Sequence, residues 1–205
     1  MKHYSISKTC HIGEYLRLDS MTDKERKALL EKHGSELWAM HPHIFHVEYS
    51  SLNRVYRGYG IKNVNGGIEF INPKCMDEPM TLKSQGYIVA YNKKKTVSKS
   101  CCLFFDFPDY LSFLAIQRKT FLQLPDGCDC YIMSHVKNYI SMVVETDGYE
   151  KIYMFFPNTE VGITIAKTIE ARNPRHVYNC SLMYAASKTL KEFAEYFIDK
   201  MNKTD

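Results

Sequence analysis

The sequence predicts an α/β protein in which a small helix and antiparallel-sheet subdomain, residues 1–91, precedes a larger domain, residues 92–205. Two observations predict this fold class. The second half alternates short apolar runs with amphipathic stretches, which is the pattern of a Rossmann-like parallel sheet with helices on both faces. The first half carries segments rich in β-branched and aromatic residues around a glycine turn, which favours antiparallel hairpins. The lysine-rich stretch 92–100 is the predicted boundary between them.

The N-terminal subdomain is predicted to begin with a helix over residues 22–33. Its first residue, Thr22, and Glu25 have the spacing of a capping box, and Gly34 can adopt the left-handed conformation that ends a helix. The segment 65–67, Asn-Gly-Gly, supplies the positive φ angles of a tight hairpin. Strands are predicted at residues 43–49, 55–63 and 68–72.

The C-terminal domain is predicted to contain four repeats of a buried strand followed by a helix. The strands are predicted at residues 101–105, 130–133, 151–156 and 176–180. The helices are predicted at residues 109–118, 136–144 and 159–172 and from residue 187 onwards. Because ligands of open parallel sheets bind at the carboxyl ends of the strands, the loops that follow these strands are the candidate site.

Composition and charge exclude few classes of function. The chain is 45% hydrophobic and 24% charged, with a net charge of +4, which permits a nucleic-acid partner without requiring one. It has no apolar run of the roughly 18 residues that a membrane span needs, and its first residues form no continuous apolar segment. We therefore expect a cytoplasmic protein with no membrane partner.

Cysteine and histidine spacing predicts no structural metal. Cys128 and Cys130 are close in sequence, and three histidines cluster at residues 41–46, but neither set has the paired spacing of a zinc site. The adjacent Cys101 and Cys102 lie in an apolar run and are interpreted as buried small side chains. A phosphate-binding loop of the form GxxxxGK[ST] does not occur in the chain.

Several segments, in order, resemble the Toprim module of DNA primases from plasmids and other mobile elements. LFFDFPDYLSFL at 103–114 resembles the first motif of the module, and YEKIYMFFPNTEVGITIA at 149–166 resembles the second. Further similarity lies at residues 56–74, 130–138 and 178–193, so that the resemblance covers residues 22–200. It implies a Toprim-like sheet and an ancestral role in magnesium-dependent phosphoryl chemistry on nucleic acid.

The sequence departs from the family at each acidic position that this chemistry uses. Phe105 stands where the family has its glutamate, and Pro157 and Thr159 stand where it has its two metal-binding aspartates. None of the three offers a carboxylate, so we expect a pseudoenzyme with no catalytic residue, no cofactor and no metal site. Asp106 and Asp109 are the remaining weak catalytic candidates, and magnesium would bind only if they replace the lost ligands.

Simpler interpretations apply to the other polar residues of these loops. Asp109 is interpreted as the cap of the helix that follows it, and Glu160 as a first-turn carboxylate of its own helix. The alternative interpretation is a displaced metal site formed by Asp106, Asp109, Asp147 and Glu160. Ser134 and His135 are adjacent, and because no GxSxG motif is present they are not interpreted as a nucleophile and its base.

Three functions are weighed. The favoured one is a nucleic-acid-binding or adaptor role in mobile-element DNA processing, with DNA or RNA as partner. Another is a protein-interaction module whose partner occupies a cleft lined by Phe105, Phe107, Phe156 and Pro157. The third is a metal-dependent primase or nuclease with relocated acids. The candidate nucleic-acid-binding residues are Arg54, Arg57, Lys62, Lys93, Lys94, Lys95, Lys99, Arg118 and Lys119.

Overall fold

The computed structural model describes residues 15–20, 22, 24, 44–51, 54–72, 75–90, 98–116, 127–173 and 176–203. The chain divides into two compact units, Met1–Gln85 and Gly86–Asp205. Each unit contains one five-stranded sheet. The mixed α/β class and the combination of an antiparallel with a mostly parallel sheet are as predicted.

The first unit contains an antiparallel sheet whose strands follow one another in chain order. Its strands are β1 (Tyr15–Ser20), β2 (Phe45–Ser51), β3 (Arg54–Lys62), β4 (Ile68–Asn72) and β5 (Cys75–Leu82). The three predicted strands correspond to β2, β3 and β4, whereas β1 and β5 were not predicted. The predicted helix at 22–33 falls almost wholly outside the described residues.

The turn between β3 and β4 is held by a buried asparagine. The side-chain oxygen of Asn63 accepts hydrogen bonds from the backbone N–H groups of Asn65, at 3.1 Å, and Gly67, at 2.9 Å. Its amide nitrogen donates to the carboxylate of Glu69, which is itself buried. Gly66 has a φ of +76°, which is the glycine conformation that the sequence predicts for this hairpin. The β3–β4 register therefore depends on Asn63 as well as on the glycines.

The second unit contains the mostly parallel sheet, with strand order β10-β9-β7-β8-β6. Its strands are β6 (Ile88–Ala90), β7 (Ser100–Phe104), β8 (Asp129–Ile132), β9 (Lys151–Phe155) and β10 (Val177–Asn179). The pairs among β7, β8, β9 and β10 are parallel, as predicted, and β6 adds an antiparallel edge to β8. Because β6 pairs within this sheet, the second unit begins before the boundary predicted at residue 92.

Helices follow the parallel strands at the predicted places, with ends shifted by a few residues. They are α1 (Phe107–Ile116), α2 (Tyr139–Thr146), α3 (Glu160–Arg172) and α4 (Leu190–Asn202). Short 3-10 helices, Val136–Asn138 and Cys180–Tyr184, precede α2 and α4. None of the helices in the described ranges combines the length and the hydropathy that a membrane span requires.

Both faces of the second sheet are buried by helices. On one face, Leu103 and Met154 belong to a buried cluster with Met142 of α2 and Ile169 of α3. On the other face, the ring of Phe104 contacts the rings of Tyr110 and Phe113 of α1 and of Phe155 of β9, at centroid distances of 5.0–5.3 Å among the four rings. The continuous apolar runs of the sequence thus reflect strands that are covered on both sides.

Candidate functional site

The candidate site is the carboxyl edge of the parallel sheet between β7 and β9. These two strands are neighbours, and the chain leaves β7 toward β8 on one side and reaches β9 on the other. A reversal of this kind opens a crevice at the strand ends, where open α/β sheets bind ligands. The segments that follow β7 and β9, residues 105–109 and 156–159, meet at this edge.

Phe105, Pro157 and Thr159, which stand where the resembled family has acids, are used in packing and helix capping. Phe105 is partly buried, and its ring packs edge-to-face on Phe156 at 5.9 Å. Pro157 is buried against Gly162 of α3, where an added Cβ would collide with the proline carbonyl and ring. Thr159 is the N-cap of α3, and its hydroxyl accepts a hydrogen bond from the N–H of Gly162 at 3.3 Å.

The two nearby aspartates cap two different helices, which corrects the interpretation of Asp109. Asp106, not Asp109, caps α1, since its carboxylate accepts from the N–H of Asp109 at 2.8 Å. The carboxylate of Asp109 instead accepts from the N–H of Lys191, in the first turn of α4, at 2.8 Å. Asp109 therefore joins α1 to α4, two helices that pack against each other.

Burial raises the pKa of both aspartates of this pair. Asp109 is 1% exposed, and its second carboxylate oxygen is buried without a hydrogen-bond partner. Desolvation, reinforced by the neighbouring Asp106, raises the pKa of Asp109 to about 8. Desolvation also raises the pKa of Asp106, against the opposing effects of the Asp109 N–H and the Lys191 ammonium. The protonated form of Asp109 is therefore favoured at neutral pH.

A network of hydrogen bonds joins the end of β9 to the segment 180–188. The side-chain amide of Asn158 donates to the carbonyls of Tyr184, at 3.2 Å, and Ser187, at 2.9 Å. The backbone N–H of Asn158 donates to the carbonyl of Lys188 at 2.7 Å, and the hydroxyl of Tyr184 donates to the carbonyl of Phe156 at 2.8 Å. This network was not predicted, because the sequence shows the asparagine but not the carbonyls that it binds.

Magnesium does not fit the donors at this edge. Mg²⁺ requires several hard, charged oxygen ligands in a near-octahedral shell. Phe105 and Pro157 supply no side-chain donor, the Thr159 hydroxyl is used as a cap, and protonation of Asp109 removes its charge. Within the described ranges, no group of three or more His, Cys, Asp or Glu side chains is placed to hold a metal ion.

The aromatic residues of the expected protein-binding cleft are mostly buried. Phe107 and Phe156 are each 1% exposed, Pro157 is buried, and Phe105 is only partly accessible. The cleft interpretation required an exposed aromatic patch at this edge, and these four side chains do not form one. Apolar exposure is found instead in the neighbouring 3-10 helix, where Leu182 is 77% exposed and Met183 is exposed as well. The sequence pattern did not indicate either residue.

Ser134, at the end of β8, has a strained backbone that the sequence did not indicate. Its φ is +60°, and the N–H of His135 bonds to the carbonyl of Met133 across it at 2.7 Å. The N–H of Ser134 donates to the carbonyl of Phe105, whereas its hydroxyl is buried without a hydrogen-bond partner. This turn joins the end of β8 to the segment that follows β7.

The remaining acidic candidates, Asp147 and Glu160, have different surroundings from Asp106 and Asp109. Asp147, after α2, bonds to the guanidinium of Arg172 at 3.2 Å and to the amide of Asn173 at 3.0 Å. Glu160 is exposed in the first turn of α3, as predicted. Of the four acids considered for a displaced metal site, only Asp106 and Asp109 contact each other.

The candidate cations of the antiparallel sheet are divided between its two faces. Arg54 and Lys62 share one face with Tyr56, because strand positions of the same parity point the same way, and both are exposed. Arg57 points to the opposite face and forms an ion pair with Glu48 at 2.7 Å. Of the three candidate cations in β3, Arg57 therefore lies on the face opposite Tyr56.

Beside Arg54, the rings of Tyr49 and Tyr56 stack at a centroid distance of 6.1 Å. Both rings pack on the cluster of Val47 and Phe70 and remain partly exposed. Lys99, in the second unit, pairs with Glu150 at 2.7 Å. The other predicted nucleic-acid contacts, Lys93, Lys94, Lys95, Arg118 and Lys119, lie outside the described residues.

Comparison with known proteins assigns neither a family nor a function to this site. No family model matches the chain, and a search of the curated proteins gives no significant match.

Proposed function

We propose that this chain is a catalytically inactive Toprim-like protein with a nucleic-acid-binding or adaptor role in mobile-element DNA processing. The observation that carries the proposal is the use of the three family acid positions, Phe105, Pro157 and Thr159, in packing and capping. The order of the parallel strands, with a crevice between the first and third, supports a Toprim-like sheet.

The charges at the carboxyl edge of the parallel sheet support the proposal that this chain does not transfer phosphoryl groups. Transfer of a phosphoryl group requires a divalent cation that spreads the developing negative charge. Here a largely protonated Asp109 lies close to Asp106 and to the positive charge of Lys191. A lysine ammonium and a neutral carboxyl both disfavour a second cation. The proposed active alternative, with relocated acids, would have to overcome both effects.

The antiparallel sheet supplies the surface that we propose for nucleic acid. Tyr49 and Tyr56 present partly exposed, stacked rings, and Arg54 extends from the same face two residues before Tyr56. Aromatic rings stack on bases, and an adjacent cation neutralises a phosphate, which is the usual chemistry of single-strand binding. Lys62 lies on the same face, with its ammonium 5.4 Å from the ring of Phe45.

Binding of a labelled single strand, measured by fluorescence anisotropy over a series of salt concentrations, tests this role. We expect affinity to fall as salt rises, and to fall further in the double variant Arg54→Glu, Lys62→Glu, because a surface with fewer phosphate contacts releases fewer counterions. Lys167→Glu, which reverses an exposed charge on α3, is the matched control. Reversal of Lys93, Lys94 and Lys95 tests the predicted basic stretch in the same assay. Binding that is indifferent to salt and to these reversals would contradict the proposal.

Absence of catalysis is tested separately with magnesium or manganese and a nucleic-acid substrate. We expect neither cleavage nor primer synthesis from the purified chain. Metal-dependent activity that Asp106→Asn and Asp109→Asn both abolish would establish the active alternative instead. Activity that survives both substitutions would indicate a contaminant.

A second candidate function, a protein-interaction module, is favoured by the exposure of Leu182 and Met183. Exposed apolar side chains next to each other are a feature of interaction surfaces. Under this candidate the chain binds no nucleic acid at low salt. The double variant Leu182→Ser, Met183→Ser then lowers the binding of an apolar fluorescent probe without lowering stability, since neither side chain is in the core.

A further inference from the structure

A row of apolar side chains is exposed along α2 and the 3-10 turn that precedes it. The row consists of Val136, Ile140 and Val144, which are 47%, 64% and 59% exposed. The 3-10 turn runs directly into α2, since Asn138 and Tyr139 at their junction both have helical backbone angles. Residues four apart lie on the same side of a helix, so the three β-branched side chains are neighbours. We call this row the α2 stripe.

The packing of α2 within the second unit uses other side chains. The buried residues of α2 are Met142, Val143 and Thr146, and the α2 stripe is additional to them. Beside Ile140, the surface continues into a shallow depression between α2 and α3, whose other lining residues include Thr168 and Arg172. Single exposed apolar residues are ordinary on a protein surface, whereas a contiguous row of them is a feature of interaction surfaces.

Opposite charges lie at the two ends of the α2 stripe. Lys137 follows Val136 by one residue and Glu145 follows Val144 by one residue, so both charges lie on the same side of the stripe. At about 1.5 Å of rise per residue they are about 12 Å apart along the helix, too far to pair with each other. Both are exposed, and within the described ranges neither forms an ion pair with another residue.

We propose that the α2 stripe binds the α2 stripe of a second copy of this chain, with the two helices antiparallel. A two-fold axis beside Ile140 places Val136 of each copy against Val144 of the other, and the two Ile140 side chains against each other. The axis also keeps the charged sides of the two stripes together. Lys137 of one copy and Glu145 of the other then lie within about 3 Å of each other along the helix axis. Two symmetric ion pairs result.

This charge pattern is the observation that favours a second copy as the partner. A positive end and a negative end on the same side of one stripe are complementary to themselves when the stripe is reversed. A parallel arrangement would instead bring Lys137 to the level of Lys137 and Glu145 to the level of Glu145. The antiparallel pair is therefore the arrangement that satisfies both the apolar row and its charges.

The size of the surface indicates a weak and reversible dimer. Three exposed side chains and a shallow depression supply less than the roughly 800 Å² per partner that a standard specific interface buries. Apolar burial supplies the affinity, and the ion pairs at the rim select the orientation. The inference is independent of the proposed nucleic-acid role, because no residue of the α2 stripe belongs to the surface of Arg54 and Lys62.

Sedimentation of the full chain over a series of protein concentrations tests this self-association. We expect the weight-average mass to rise with concentration toward that of a dimer. Ile140→Ser should weaken association by about tenfold or more, because both copies lose the side chain at the two-fold axis. Val64→Ser, which removes a comparably exposed valine from the β3–β4 turn, is the matched control and should associate like the wild type.

Charge reversal tests the antiparallel arrangement. Lys137→Glu and Glu145→Lys should each associate several-fold more weakly than the wild type, because each variant places like charges against each other. An equimolar mixture of the two variants should recover the association, since each copy then supplies the charge that the other requires. The difference between the separate variants and their mixture should shrink at high salt, which screens exposed charges. A mixture that associates no better than its components would overturn the proposal.

The unmodified chain provides a measurement that does not depend on how the variants fold. A zero-length carbodiimide cross-linker applied to a mixture of heavy-isotope-labelled and unlabelled chains should join Lys137 to Glu145 in peptides of mixed isotope content. A monomeric mass at every concentration would contradict the dimer, and so would association that Ile140→Ser leaves unchanged. A chain that stays monomeric but loses stability in Ile140→Ser would show that another segment of the same chain covers the α2 stripe, which also overturns the proposal.

Discussion

Asp109 is a buried carboxyl group with a structural role, because it joins two helices. One of its oxygens accepts the Lys191 N–H at the start of α4, and the other has no hydrogen-bond partner. A buried carboxyl group without full compensation prefers its neutral form. Because Asp109 is one of the two acids that could replace the lost metal ligands, its protonation state separates a structural role from a metal-binding one.

Replacement of Asp109 by asparagine is expected to change the pH dependence of stability. The pKa of Asp109 in the folded protein is about 8, against an ordinary value of 3.8. Between these pH values the folded state binds more protons than the unfolded state, so the free energy of unfolding falls as pH rises through this window and levels off above it. The substituted amide side chain keeps an acceptor for the Lys191 N–H but cannot ionise. The variant should therefore match the wild type near pH 4 and exceed it near pH 8, by on the order of a few kcal/mol.

Urea denaturation of both proteins at a series of pH values measures this difference. Asp147→Asn is a suitable control, since Asp147 is an exposed carboxylate paired with Arg172. Curves for wild type and Asp109→Asn that stay parallel from pH 4 to pH 8 would show that Asp109 is ionised in the folded protein. An ionised Asp109 would restore the metal-binding alternative.

At the scale of elements, the side chain of Asn158 is one of the groups that hold the segment 180–188 at the end of β9. Asn158 donates to two carbonyls of this segment, those of Tyr184 and Ser187. In the resembled motif the equivalent asparagine lies between the two metal-binding aspartates. In this chain Asn158 donates to backbone carbonyls. It thereby connects the end of β9 to the segment that precedes α4.

Truncation of Asn158 should loosen this segment. Asn158→Ala removes two hydrogen bonds and should lower the free energy of unfolding by about 1–3 kcal/mol, because the two carbonyls lose their donors. Asn158→Asp should cost more, since a carboxylate cannot donate and repels the carbonyl oxygens. Denaturation midpoints measure the loss, and faster amide exchange over residues 180–188 locates it. Asn173→Ala, which removes an exposed hydrogen bond to Asp147, should change little. Equal stability of both Asn158 variants and the wild type would refute the role of this side chain.

The elements that sequence patterns predicted well are those whose periodicity is set by burial. The runs CCLFF and KIYMFF became β7 and β9 because both faces of these strands are covered, and the stripe beginning near residue 190 became α4. The short edge strand β6 was not predicted, although the equally short edge strand β10 was. At the site, the sequence showed that Phe105, Pro157 and Thr159 carry no carboxylate. The partners of Asp109 and Asn158 were not, because both bonds join residues that are distant in the chain.

At the scale of the whole molecule, the second unit contains its own complete sheet. All strands of that sheet, β6 to β10, and the buried cluster around Leu103 and Met154 come from Gly86–Asp205. A separate core and sheet are the requirements for independent folding. We therefore expect a fragment of residues 86–205 to fold on its own. Circular dichroism and a cooperative urea transition measure this, and a non-cooperative transition or a spectrum without secondary structure would contradict it.

The two edges of the second sheet affect how the molecule behaves in a crowded solution. The outermost strands, Ile88–Ala90 and Val177–Asn179, have three residues each, and the first is antiparallel to its neighbour whereas the second is parallel. A strand this short exposes few unpaired amide and carbonyl groups to another chain. The longer apolar strands β7 and β9 lie between these two edge strands. These two apolar segments are thereby shielded from pairing with a strand of another molecule.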